Sequence, residues 1–268
     1  MKYLALTLVV GGLAAHTQAA VYSSDFDLTP YDFGSNLNGL DGWSLTGASL
    51  PDVATIAVSP FPSPVSGGQA IHFGFQEIDA ASAYLSRNAG SSLVGNGAGY
   101  TEFQTAFIVQ DSVPTYPNRD IFQFTFRGAS DENILTIQLQ PTAQSASPQL
   151  NPPRTDQFSW SSDFAAGAAN IGTLNEGQWS TLNIRFTPSG VNDVAFSAKF
   201  QNVEFASGTL AGAGSQNLGT YGFVWKPLDP NNEGSNILIL DDVSLVPEPS
   251  SALLACVAGL GLLIRRRR

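Results

Sequence analysis

The sequence predicts an all-β sandwich, with a jelly roll as the preferred form, and three observations lead there. Short apolar stretches alternate with polar residues at period two, the signature of half-buried strands. Glycine (26) and proline (16) punctuate those stretches. No amphipathic helical stretch stands out between the two chain ends. A composition of 43% hydrophobic and only 13% charged residues, with 17 phenylalanines, supplies ample apolar mass for a core. Disordered chains show the opposite balance.

The strands can be read in order. Ile71, Phe73 and Phe75 share one face of 70–75, and Phe103, Phe107 and Val109 share one face of 101–109. Phe122, Phe124 and Phe126 do so in 121–126, as do Leu135, Ile137 and Leu139 in 134–139. Leu182, Ile184 and Phe186 alternate with Thr181, Asn183 and Arg185; Val194, Phe196 and Phe200 follow, then Tyr221, Phe223 and Trp225, then Ile237 and Ile239. Two uneven interruptions, 141–156 with four prolines and 211–219 rich in Gly and Ala, read as surface loops. Neither is long enough for an interdomain linker, so one β domain over 21–246 is expected.

Both ends read as addresses. Residues 1–20 place Lys2 before an apolar run from Leu4 to Ala15 and end in small residues, with Ala19, two places after Thr17, as the expected cleavage point and Ala20 as the next best. This is the layout of a secretory signal peptide. At the other end, Pro247 and Pro249 stop the last strand. An uncharged stretch over 250–264 follows, then Arg265, Arg266, Arg267 and Arg268. Fifteen helical residues reach about 22 Å, short of a ~30 Å hydrocarbon core. The arginines should stay cytoplasmic, leaving the body outside.

Pro247, Glu248 and Pro249, the short apolar helix and the arginine cluster, in that order at the chain end, resemble the PEP-CTERM sorting signal over 247–268. The resemblance implies a Gram-negative, matrix-forming bacterium, with signal peptidase and exosortase as processing enzymes. It further implies a transient inner-membrane stage and delivery to the cell surface or extracellular matrix. It says nothing about the cargo. Three phrases within the domain, 40–43 (LDGW), 176–179 (EGQW) and 237–245 (ILILDDVSL), resemble concanavalin-like and carbohydrate-binding jelly rolls.

The chemistry is sparse. Between the two ends, seven basic residues face twenty-one acids, a charge of about −14, which excludes phosphate-backbone recognition. The only cysteine, Cys256, lies in the tail, so the domain has neither disulfide nor thiol nucleophile. Its one histidine, His72, cannot build a multi-histidine zinc site. Acid pairs such as Asp131-Glu132 read as a solvated turn rather than a glycosidase pair. No catalytic residue is assigned.

Asp241-Asp242 is the most suggestive local feature. Two readings stand: a structural calcium held with Asp25 and Asp27, or a bulged strand end satisfied by hydrogen bonds. In similar jelly rolls a calcium ties the first strand to the last. Of Trp43, Trp160, Trp179 and Trp225, Trp160 beside the proline-rich loop is the expected sugar platform, joined by Phe158. The leading expectation is a structural or adhesive exported protein. The alternatives are a calcium-stabilised module binding exopolysaccharide and a polysaccharide hydrolase or lyase.

Overall fold

The computed structural model describes residues 22–27, 30–47, 54–58, 68–74, 82–93, 99–111, 120–140, 154–165, 170–174, 178–227 and 236–247. The segments read from the sequence as a signal peptide, 1–20, and a sorting tail, 247–268, lie outside this set apart from Pro247. Among the described residues no helix is long and apolar enough to cross a membrane.

Among the described residues fifteen strands follow in chain order: β1 (Tyr22–Ser24), β2 (Trp43–Thr46), β3 (Ala54–Val58), β4 (Gln69–Phe73), β5 (Ala83–Ser92), β6 (Thr101–Asp111), β7 (Ile121–Gly128) and β8 (Asn133–Gln140). Then come β9 (Arg154–Ser161), β10 (Asn170–Leu174), β11 (Ser180–Pro188), β12 (Val194–Phe200), β13 (Val203–Leu210), β14 (Asn217–Lys226) and β15 (Asn236–Pro247). They form two antiparallel sheets. One runs β10-β9-β8-β7-β14-β5-β2; the other runs β13-β12-β11-β6-β15-β4-β3, with β1 also docked on β15.

Phe75, expected at the end of one strand, lies outside the described residues; the other expected strands are present, with three differences. Asn217–Gly219 belongs to β14 and Arg154–Asp156 to β9, so each predicted loop is shorter than the composition suggests. Several strands lacked a readable alternation. In β5 the inward positions are Ala83, Leu85, Arg87 and Ala89, and the charge among them hides the period. Edge strand β13 exposes both Val203 and Glu204 at its start.

The core lies between the sheets and is largely aromatic. Phe103 meets Phe126 at 5.2 Å, Phe107 meets Phe124 at 5.5 Å and Phe126 meets Phe186 at 5.2 Å, centroid to centroid. Such pairs add to the burial of their own area. A smaller apolar cluster of Ala70, Ile108, Ile237 and Ile239 lies on the opposite face of the larger sheet, with Trp179 packed against it.

Candidate functional site

Strand β15 is longer than its neighbours on one edge, and this creates a seam. Ile239 pairs with His72 of β4, while Val243 pairs with Ser24 of β1, so two strands dock in succession along one edge. Between them β15 bulges: Asp241 faces Ala106 and Ser244 faces Gln104, leaving Asp242 and Val243 opposite the single residue Thr105. Asp242 adopts φ +50°, and the Thr105 hydroxyl donates to the Asp241 carbonyl at 3.0 Å.

The seam gathers Asp25, Asp27 and Asp242. Burial, and then the charges of Asp25 and Asp27, raise the Asp242 carboxyl from 3.8 to about 6. Asp27 Oδ1 accepts from the backbone N–H groups of Gly68 (3.0 Å) and Gln69 (2.9 Å), stapling the chain after β1 to the start of β4. Three buried oxygens there, Asp27 Oδ2, Asp242 Oδ2 and Gln69 Oε1, have no hydrogen-bond partner. Such hard oxygen donors fit calcium. Among the described residues, however, no three acidic, histidine or cysteine side chains converge into a ready metal shell.

Asp241 departs from the expected set. It is fully buried, and its Oδ1 accepts the Asp242 N–H at 2.8 Å, so its carboxylate serves the bulge itself. Gln69, a glutamine within a strand, carried no sequence signal for the seam.

The expected sugar platform also requires correction. Phe158 is fully buried and packs against Phe200 at 5.2 Å and Phe205 at 4.7 Å. Trp160 lies on the same inward face, edge-on to Phe196 at 4.8 Å, with Gly208 close enough that a Cβ there would stand 3.3 Å from the indole. Period two places both residues inward together. Trp43 and Trp225 are core residues as well. His72 is buried enough that its pKa is lowered, and its Nε2 has no partner.

What the smaller sheet presents outward is different. Register carries one row from Thr46 through Tyr84, Val224, Gln123 and Gln138 to Ser159. A second row runs from Ser44 through Ser86, Gly222, Thr125 and Thr136 to Ser161. Six strands at ~4.8 Å spacing make each row about 24 Å long. The second row carries only short side chains, and its middle is recessed, with Thr125 3% exposed and Ser86 and Thr136 each 8%. Its ends, Ser44 and Ser161, are open.

The polar groups on this face hold one another. Gln123 Nε2 donates to Gln138 Oε1 at 2.9 Å, and the Tyr84 and Thr220 hydroxyls lie 3.1 Å apart. At one rim the Arg127 guanidinium stacks over Tyr84, 5.1 Å from the ring centroid, and pairs with Asp131 at 2.8 Å. The two rows contain no charged side chain.

No protein-family model matches the chain, and no curated protein matches it in sequence. Solved structures do match in fold. Alginate lyase Aly36B aligns with a TM-score of 0.51 at 9% identity, over 88% of this chain and 100% of that one. A carbohydrate esterase from Shiga toxin-encoding bacteriophage phi24B aligns at 0.51 and 15%, over 84% and 98%. The carbohydrate recognition domain of Emp47p aligns at 0.50 and 10%, over 84% and 94%. At these identities the likeness concerns architecture: the domain is a concanavalin-like, jelly-roll β-sandwich.

Proposed function

We propose that this chain is an exported bacterial surface or matrix protein whose sandwich binds carbohydrate without acting on it. The observation that carries the reading is the pair of uncharged polar rows crossing six strands of the smaller sheet. Hydroxyl and amide groups in register offer an extended sugar chain donors and acceptors along its length. The Emp47p domain of the same architecture is named for carbohydrate recognition. A hydrolase would need two carboxylates across the scissile bond, and these rows supply neither. The export half of the reading rests on the sequence of the two ends. A glycan array tests the binding half: Tyr84→Ala and Gln138→Ala should each weaken binding about tenfold, whereas Trp160→Phe should not. Equal loss from all three, or no binding at all, counts against it. Fractionation tests the other half, since intact full-length chain in the cytosol removes it.

A second reading concerns the seam. Three unpartnered buried oxygens, Asp27 Oδ2, Asp242 Oδ2 and Gln69 Oε1, favour a structural calcium, with Asp25 adding negative charge beside them. The ion would supply positive charge where three carboxylates otherwise repel, tying β1 and β4 to β15. It would act on stability rather than on the sugar.

A further inference from the structure

We infer that the polysaccharide taken by the outer face of the seven-stranded sheet is uncharged, bearing hydroxyl groups only; this rests on the carbohydrate reading above. All twelve positions of the two central rows are neutral, across six strands. A uronate or sulfate group seated over recessed Thr136 would exchange water for hydroxyl partners, and over Thr125 it would meet a guanidinium that Asp131 already neutralises. Burying an anion without a cation is far more costly than burying a hydroxyl. Among the described residues, Lys226 stands two residues beyond Val224 on one side of the rows, and Arg127 on the other side is already paired with Asp131, with Asp163 also acting on it. That end therefore carries two negative charges to one positive. Around the site the whole domain holds about −14. Its field reaches roughly 10 Å at 0.1 M salt, which adds a general repulsion for polyanions. A neutral glycan meets neither penalty, and the Gln123–Gln138 pair gives it an amide row matched to hydroxyls.

The test compares three linear polymers of equal length on the purified full chain, with EDTA present: an unsubstituted glucan, a polyuronate and a sulfated glucan. The glucan should bind at least tenfold more tightly at 50 mM salt, and the gap should narrow by 300 mM. Gln138→Lys, at the half-exposed part of its row, should raise polyuronate affinity about tenfold and lower that for glucan. Ser159→Lys, its neighbour across β9, provides the same reading should the first variant fail to fold. Polyanions that bind as tightly as glucan, or a preference unchanged by either lysine, overturn the inference. Absence of binding to all three polymers instead removes the carbohydrate reading on which it rests.

Discussion

The guanidinium carbon of Arg87 lies 3.7 Å above the centre of the Tyr22 ring, with one residue from each sheet. Tyr22 belongs to three-residue β1, paired to β15, while Arg87 sits on β5 and also pairs with Asp41 at 3.2 Å. The Tyr22 hydroxyl accepts from the Trp43 indole at 3.1 Å and lies 3.0 Å from that of Tyr31. A short strand with three backbone pairs is thus held to both sheets by one aromatic side chain.

Removing the cation should loosen that hold. Arg87→Ala deletes the stacked guanidinium and leaves Asp41 with the Tyr31 hydroxyl as its remaining partner, an expected loss of about 1 kcal/mol. Arg87→Lys keeps the charge but not the flat, bidentate plane, and should lose about half as much. Urea unfolding midpoints at constant m-value measure both. A midpoint unchanged in Arg87→Ala would show that the contact does not bear on stability.

Gly222 of β14 lies close against the backbone of β5. A Cβ at this position would lie 2.1 Å from the Leu85 carbonyl oxygen, a backbone atom that can move only with its strand. Gly222→Ala should therefore cost about 2 kcal/mol or more, although Gly→Ala in an unstrained position is neutral or stabilising. It also places a methyl in the short-side-chain row and should weaken glycan binding. Thermal unfolding and the glycan array read the two effects separately.

Trp160→Ala should destabilise without touching recognition. Its indole fills space between Phe196 and Gly208, so truncation opens a cavity worth about 3 kcal/mol. Variants that retain the fold should bind glycan as the parent does, measured below their lowered unfolding temperature. A selective loss of binding would return Trp160 to the recognition surface.

Trp160 also shows how far the sequence could be read. Alternation correctly placed it beside Phe158, but a periodic pattern does not say which face is inside. Proximity to a proline-rich segment is a property of the chain rather than of the sheet. Strands such as β7, with three phenylalanines at alternate positions, were legible because their inward residues are uniform in kind. The polar rows were not legible. Gln123, Gln138 and Ser159 are ordinary outward residues one at a time, and only the register of β7, β8 and β9 lines them up. Asp25, Asp27 and Asp242 were legible as charges, whereas Gln69 entered only through the pairing of β4 with β15.

The seam yields a prediction in which pH and calcium oppose one another. Because burial and two like charges raise Asp242 to about 6, its folded form prefers the proton. The stability this contributes is complete below about 3.8 and is lost as pH rises through about 6. Without metal, Asp242→Asn should therefore stabilise the protein at pH 7.5, where the wild type carries a repelled charge. With calcium the order reverses. The ion needs the ionised carboxylate, so millimolar calcium should raise the unfolding temperature at pH 7.5 by several degrees and do little at pH 5. Asp242→Asn should abolish the calcium shift, while Gln69→Ala, which removes a neutral oxygen, should only weaken it. Unfolding curves at both pH values, with calcium and with EDTA, decide the matter. A calcium shift of equal size at pH 5 and 7.5, or one that survives Asp242→Asn, places the ion elsewhere. No shift at all leaves the bulge at Asp241-Asp242 satisfied by hydrogen bonds alone.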